Sequence, residues 1–310
     1  MKLYYVLVPL FTLFVLATGD GEVFNDQNCG PNFFGDSIRR PSIGRLMEFP
    51  WLARLGYRRN GLIEFHFQGT LIHQYYVITT VFAAGYYQNS LEMVRLGEYH
   101  RSTDEDCQEI EDEERCAPAP QDIPIEHIIR HPNYNKPRLA NDLALIKLRQ
   151  PVNVTSEFVR PICIPLGESF PLSENAPLFI SAWCGSQKAG ISDVPLQYRM
   201  QMMNPSSCAE KLSSHLDIDL HVSQFCAVLD LDRKTTEKVK DISLRGSTGA
   251  PLQMLGPDGR FYQVGITSVG VRNAALDTPY VFVSLLHLAG WLEQTVTNEE
   301  HNRLNVRLVS

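Results

Sequence analysis

The sequence predicts an all-β protein with one helix at its C-terminal end. Short apolar runs rich in β-branched residues recur along the chain, and Gly, Pro, Asn and Asp separate them. No strand-helix alternation, internal repeat or heptad breaks this pattern, which favours a barrel or a sandwich. The predicted strands include residues 51–55, 70–80, 93–96, 143–148, 178–182, 263–268 and 280–284. Leucines and a valine at roughly helical spacing over 285–296 predict the helix.

Composition limits the classes of partner. The 310 residues carry 28 Lys and Arg against 35 Asp and Glu, a net charge of −7, with no positive block. We therefore expect neither nucleic acid nor an anionic membrane surface as a partner, since both require a positive patch to neutralise phosphates. Residues 104–114 hold eight acids in eleven positions. We expect this segment to be a solvated loop, because so much charge cannot be buried.

The N-terminus predicts export. Lys2 precedes an apolar run over residues 3–17, and small residues follow, which is typical of a signal peptide over residues 1–19. The alternative is a signal anchor, but the run is short for the roughly 20 residues of a bilayer span. A secreted, extracellular chain that starts at Asp20 would form disulfides. Its sequon at Asn153 would then be a candidate for glycosylation.

Seven cysteines follow the predicted signal peptide, so at least one has no partner within the chain. Spacing alone leaves the pairing open, because even six cysteines allow 15 arrangements. The seven are Cys29, Cys107, Cys116, Cys163, Cys184, Cys208 and Cys226.

Several motifs, in their order and spacing, resemble the trypsin-like serine proteases. They read FPW at 49–51, GTLI at 69–72 with VIT at 77–79, NDLALIKL at 141–148, RPICIP at 160–165, GSTGAP at 246–251 and SVG at 268–270. The resemblance implies two six-stranded antiparallel β-barrels with a C-terminal helix. It divides the chain into a vestigial propeptide at 20–41, a protease-like domain at 42–299 and a tail at 300–310. The acidic loop followed by QDIPIE at 121–126 resembles in particular the arthropod clip-domain proteases of innate-immune and melanisation cascades. No clip domain fits between Asp20 and Cys29.

The resemblance places a degenerate catalytic triad in the chain. The family's histidine position is Phe82 and its serine position is Thr248, while the aspartate remains as Asp142. A hydroxyl nucleophile needs a base that takes its proton, and a phenyl ring has none. Loss of one triad member costs a factor of about 10⁴ to 10⁶ in rate. We therefore predict no catalysis.

Five histidines come into question as a replacement base for Thr248, but all lie outside the matching segment. They are His66, His73, His100, His127 and His131. The alternative prediction is an atypical serine-type endopeptidase that uses Thr248 together with one of them.

Two disulfides of the family are missing by the same comparison. Phe67 and Ala83 stand at the two cysteines of one bond, and Leu244 at the first cysteine of the other. We interpret Phe67, Phe82 and Leu244 as side chains that fill the core.

The activation switch of the family is also missing. Ser247 stands where the family has the aspartate that pairs with a newly cut N-terminus, and Ile242 where trypsin-like pockets carry an acid. The sequence contains no IVGG segment; Arg39–Arg40 can be cut, although Pro41 protects the bond after Arg40.

The resemblance further implies three disulfides, Cys29–Cys163, Cys107–Cys116 and Cys208–Cys226. Cys184 is then unpaired, as a buried inert thiol or, alternatively, in a bond between chains. Glu98 matches a ligand of the family's calcium loop, whereas Pro120 near another ligand position argues against calcium. No other cofactor is expected. The backbone amides of residues 246–248 are candidates to hold an anion.

The functional expectation follows from the resemblance. It is a secreted, inactive serine protease homologue that acts as a binding cofactor, scaffold or decoy in an extracellular protease cascade. Its expected partner is a clip-type serine protease or prophenoloxidase. A structural humoral protein without such a partner is the third alternative.

Overall fold

Backbone hydrogen bonds join the strands into two separate closed rings. The computed structural model describes residues 24–26, 28–35, 42–167, 170–173, 175–186, 190–216, 218–231, 243–271 and 275–309. The predicted signal peptide, Arg39–Arg40 and Ile242 lie outside these residues. Among the described helices, none has the length and apolar character needed to cross a bilayer.

The elements alternate short strands with few helices. In chain order the described strands are β1 (Ser42–Ile43), β2 (Leu52–Arg59), β3 (Leu62–His73), β4 (Tyr76–Thr79), β5 (Leu91–Leu96), β6 (Cys107–Ile110), β7 (Glu113–Cys116), β8 (Gln121–Arg130), β9 (Ala144–Leu148), β10 (Leu178–Ala182), β11 (Gly185–Ser186), β12 (Gly190–Ile191), β13 (Leu196–Met203), β14 (Gln224–Leu229), β15 (Pro251–Leu255), β16 (Phe261–Val269) and β17 (Tyr280–Ser284). The described helices are α1 (Val81–Ala84), α2 (Tyr86–Asn89), α3 (Pro205–Leu212) and α4 (Leu285–Val309).

The first barrel runs in the order β2-β3-β4-β9-β8-β5 and closes through β5 and β2. The predicted run at 70–80 is two strands, because a tight turn after His73 folds Tyr76 back against it. Leu71 and Ile78, one from each strand, are fully buried inside the barrel. A continuous apolar run cannot show such a turn, since both strands are buried.

The second barrel runs in the order β13-β10-β15-β16-β17-β14 and closes where β14 pairs with β13. Strand β1 adds to the outside of β13. All pairings in both barrels are antiparallel. The prediction of two six-stranded antiparallel barrels with a C-terminal helix is confirmed.

A buried aromatic contact joins the two barrels. The indole ring of Trp51 lies 5.4 Å from the ring of Phe261, and its Nε1–H donates to Oε1 of Gln253 at 2.9 Å. The Gln253 amide in turn donates to the Ser181 hydroxyl at 3.1 Å. A buried tryptophan requires such an acceptor, because an unpaired N–H in an apolar interior costs about 1–3 kcal/mol.

The C-terminal helix is longer than predicted. Helix α4 extends to Val309, through the boundary expected at residue 300. Polar contacts hold this extension: Lys147 Nζ lies 2.9 Å from a Glu299 carboxylate oxygen, and the Tyr76 hydroxyl donates to Glu300 at 2.9 Å. Apolar periodicity ends at Val296 and carries no information on such contacts.

The acidic segment is a hairpin of β6 and β7, closed at its base by Cys107 and Cys116. Seven of its eight acids are exposed, as expected for a solvated segment, and Asp106 is the exception with only 8% of its surface exposed. Its carboxylate accepts the amides of Tyr99 and His100 at 3.1 and 3.0 Å, and the Thr103 hydroxyl at 2.7 Å. These three donors replace water around the charge.

The chain contains the three disulfides that the resemblance implies. Cys29–Cys163 ties the N-terminal segment to the barrels, and each bond contributes about 2–5 kcal/mol. Cys184 is a free cysteine with no exposed surface, and burial raises the pKa of its thiol to about 12. In the folded chain this thiol is therefore inaccessible to a second chain.

Candidate functional site

The three triad positions lie on segments of both barrels, with positions 82 and 142 in the first and position 248 in the second. Helix α1 starts directly after β4, because the Thr80 hydroxyl accepts the amide of Ala83 at 3.0 Å and so caps its first turn. This cap places Phe82 above Asp142, which stands just before β9. Thr248 lies in the turn that leads into β15.

Asp142 is buried and its carboxylate is fully engaged. One oxygen accepts the Phe82 amide at 3.2 Å, with a further bond from the Val81 amide, and the other accepts the Ser268 hydroxyl at 2.6 Å. Only 5% of the residue is exposed, and this burial raises the carboxyl pKa against the three hydrogen bonds. The carboxylate therefore anchors α1 and β16, and it orients no imidazole.

Phe82 is half-exposed, which corrects its interpretation as core filling. With 51% of its surface exposed, it stacks edge-on against Phe67 at 5.6 Å and lies 6.0 Å from Tyr86. The ring thus belongs to the surface of the site. Leu244, by contrast, is buried as expected.

An aromatic cluster lies where the resembled family has a disulfide, at positions 67 and 83. We define this cluster as Tyr57, His66, Phe67, Phe82, Tyr86 and Tyr87. Ring centroids of Phe67 and Tyr86 are 4.7 Å apart, and the Tyr57 hydroxyl donates to the Ala83 carbonyl at 2.8 Å. Each aromatic pair adds roughly 0.5–1.5 kcal/mol beyond its buried area, so several pairs approach the contribution of one covalent bond.

An open groove of about 500 Å³ runs beside the cluster. It is lined by Val81, Phe82, Gly85, Tyr86, Tyr87, Arg130 and Tyr134. Tyr87 and Gln88 both adopt left-handed backbone angles, with φ of 48° and 57°. Such angles are uncommon outside glycine and cost energy, so they recur where the surroundings fix a functional surface.

The Thr248 hydroxyl makes no hydrogen bond among the described residues, to a histidine or to any other group. His66 pairs with Glu64 at 3.0 Å instead. Gly249, next to Thr248, has φ of +86°, and a Cβ there would lie 1.9 Å from the Gln68 carbonyl. This turn therefore requires glycine.

Gln68 was missed by the sequence reasoning. Its side-chain amide donates to the carbonyls of Gly246 and Trp183 at 2.7 and 3.0 Å, and its oxygen accepts the Trp183 amide at 3.1 Å. It occupies the first glycine of the family's CGG segment, directly after Phe67. The signal in the sequence is this replacement of a glycine by glutamine.

Two predicted ligand sites, for an anion at residues 246–248 and for calcium at Glu98, have few free ligand groups. The Ser247 amide already donates to the Leu244 carbonyl at 3.0 Å, so the middle donor of the anion nest is used. Glu98 lies within hydrogen-bonding distance of the guanidinium groups of Arg54 and Arg95, at 3.4 and 3.2 Å. These cations occupy the carboxylate and repel a second cation, so the residues around Glu98 do not fit calcium.

Elsewhere in the described residues, one group of three potential metal ligands comes together. It comprises Glu105, Cys107 and Cys116. Both cysteines are disulfide-bonded and offer no thiolate, so this group is not a convincing metal site either.

Asn153 lies on the surface in a tight turn. Its side-chain oxygen accepts the amide and the hydroxyl of Thr155 at 3.0 and 2.6 Å. The sequon is thus accessible, and its glycosylation stays a prediction.

Comparison with known proteins places this geometry in a family. The trypsin family model matches residues 44–292. Phenoloxidase-activating factor 3 of Holotrichia diomphalia is 32% identical over 257 residues, which cover 81% of this chain and 70% of the relative. CLIP domain-containing serine protease B9 of Anopheles gambiae is 32% identical over 254 residues, which cover 80% of this chain and 60% of the relative.

A solved structure agrees with the sequence relatives. The crystal structure of the Drosophila Grass clip serine protease of the Toll pathway superposes with a TM-score of 0.72 at 26% identity. The match covers 89% of this chain and 77% of that one. On the family match, the barrels and the sequence relatives together, the chain belongs to the trypsin family.

Proposed function

We propose that this chain is a secreted, non-catalytic serine protease homologue that works by binding other proteins. The observation that carries the proposal is the ring of Phe82, which stands half-exposed where a proton acceptor is required. Asp142 below it is already engaged by Val81, the Phe82 amide and Ser268. No group there can take a proton from Thr248.

The chemistry of acyl transfer supports this proposal. A neutral threonine hydroxyl is a weak nucleophile, and catalysis needs a base within hydrogen-bond reach to activate it. Without one, a rate loss of about 10⁴ to 10⁶ is expected. Ser247 adds a second defect, since it offers no charge for an activating N-terminus.

A protease-shaped surface without catalysis suits a cofactor, scaffold or decoy in an extracellular cascade. The relatives named for phenoloxidase activation and for the Toll pathway support a cascade role. The expected partner is a clip-type serine protease or prophenoloxidase. The groove beside Phe82 supports a role in contact, since aromatic side chains at the centre of an interface contribute most of its binding energy.

The extracellular location is part of the same proposal. Three disulfides are the sign of an oxidising compartment, and the exposed turn at Asn153 is open to a glycosyltransferase.

We expect no covalent reaction of the wild-type chain or of Thr248→Ser with a fluorophosphonate probe, because residue 82 accepts no proton in either. Intact-mass spectrometry after incubation measures this, with active trypsin as the positive control. Stoichiometric labelling of the wild type that disappears in Thr248→Ala would establish the atypical enzyme instead.

We expect Asp142→Asn to fold and its stability relative to wild type to be higher at pH 7 than at pH 4. Burial raises the pKa of Asp142, so this group stabilises the fold at low pH and loses that contribution as pH rises through the folded-state pKa. The stability of the variant relative to wild type should therefore improve from pH 4 to pH 7, measured by denaturant unfolding.

Asp193→Asn is the matched control with the opposite sign. The Ser102 hydroxyl and Arg101 lower the pKa of this exposed carboxyl, so its contribution is present at pH 7 and disappears on acidification. A stability of Asp142→Asn that falls relative to wild type between pH 4 and pH 7 would contradict the assigned sign.

We expect Phe82→Ala to weaken the capture of a protease or prophenoloxidase from arthropod haemolymph about tenfold or more, since it removes an exposed aromatic anchor. Leu62→Ala is the control, because Leu62 is 70% exposed at the tip of the β2–β3 hairpin, outside the groove. Quantitative mass spectrometry of the bound proteins measures both. Equal capture by all three proteins would exclude the groove, and capture of neither partner class would favour the structural alternative.

We expect the full chain, expressed in insect cells, to appear in the medium with one N-glycan. Enzymatic removal of N-glycans should lower its mass, and Thr155→Ala should abolish that change while leaving Asn153 in place. Retention of the chain in the cell membrane would instead support the signal anchor.

A further inference from the structure

The side-chain amide of Gln68 bridges the two barrels at the loop of residues 246–250. Gln68 belongs to β3 of the first barrel, and only 3% of it is exposed. Its three side-chain hydrogen bonds all reach the second barrel, two to the backbone of Trp183 and one to the Gly246 carbonyl. The bond to Gly246, at 2.7 Å, is the shortest of them.

The backbone of Gln68 hydrogen-bonds to the same loop. Its amide donates to the Thr248 carbonyl at 3.1 Å, and its carbonyl lies where a Cβ on Gly249 would fall. The Thr79 hydroxyl donates to that carbonyl at 2.7 Å and fixes it from the other side. The side chain and main chain of Gln68 thus contact three residues of the loop, Gly246, Thr248 and Gly249.

Backbone hydrogen bonds within the loop and to its neighbours Leu244 and Thr267 order it, although Ser247 stands where the family has its aspartate. The amides of Ser247, Gly249 and Ala250 donate to backbone carbonyls at 3.0, 2.9 and 2.8 Å. In the active proteases that the chain resembles, an ammonium paired with the aspartate at position 247 forms this region. A serine hydroxyl cannot replace that carboxylate, because it carries no charge to attract an ammonium.

We propose that Gln68 is the positioning residue of the 246–250 loop and that its neutral amide does the work of the lost ion pair. The loop then has one conformation whether or not the N-terminal segment is cut. A carbonyl held by a buried amide needs no newly formed terminus, so the surface at the degenerate site is present from the moment the chain folds.

This has a consequence for binding. A partner that recognises the loop meets its binding-competent state at full population, and no part of the affinity is lost to a preceding conformational change. The inference goes beyond the proposed function, since it concerns what shapes the loop and holds for any partner.

Hydrogen exchange of the loop tests the proposal in Gln68→Met and Gln68→Gly. Methionine keeps the length of the side chain and removes its three hydrogen bonds, while glycine restores the residue of the family. We expect the amides of Ser247, Gly249 and Ala250 to exchange roughly 10- to 100-fold faster, measured relative to the core amides of β9 in the same protein.

Gln253→Met is the matched control. Gln253 is also a fully buried amide that bridges the barrels, but it bonds to Trp51 and Ser181 rather than to the loop. This variant should accelerate loop and core amides by the same factor.

The proposal is overturned if both Gln68 variants keep the wild-type ratio of loop to core exchange. If neither variant folds, Gln68 is a determinant of the whole fold and not of the loop, which also overturns it. If glycine alone fails to fold, methionine decides. No partner and no turnover enters the readout, so the result is independent of whether the proposed binding function holds.

Discussion

The rest of the structure depends on buried, uncharged side-chain amides at the contact between the two barrels. Gln253 connects Trp51 of the N-terminal barrel to Ser181, and Gln68 connects its own strand to Trp183 and the loop beyond. Buried amides satisfy donors and acceptors on both sides without the cost of desolvating a charge. In a family that shapes its active site with a buried ion pair, this chain shapes the same region with uncharged groups.

The carboxylate of Asp142 has a structural role in this chain. One of its oxygens accepts the Ser268 hydroxyl of β16, and the other accepts an amide in the first turn of α1. The substitution at position 82 therefore leaves no unsatisfied acceptor behind, and the ring turns outward to the surface. Removal of this carboxylate would free the start of α1, so the group has a structural reason to be present whether or not the chain is catalytic.

The fold was predictable from the sequence because motifs such as NDLALIKL at 141–148 match the order and spacing of the trypsin-like proteases. The degenerate triad stays a prediction from residue identity, since a phenylalanine at position 82 offers no base. The sequence did not reveal the exposure of Phe82, the burial of Asp106 or the bridge made by Gln68. These three depend on which partners the fold brings within hydrogen-bonding or packing distance, and those partners are distant in sequence. The end of α4 was missed for the same reason, as Lys147 and Tyr76 hold it from another part of the chain.

The aromatic cluster beside the groove has a consequence for how this surface changes over generations. A cystine is present or absent, and its loss in one step leaves a reactive sulfur or a gap. Aromatic residues that pack edge to edge can be replaced one at a time. Each replacement changes the shape of the surface slightly, while the neighbouring rings keep the cluster packed. This part of the surface also keeps its packing under reducing conditions, because no disulfide holds it.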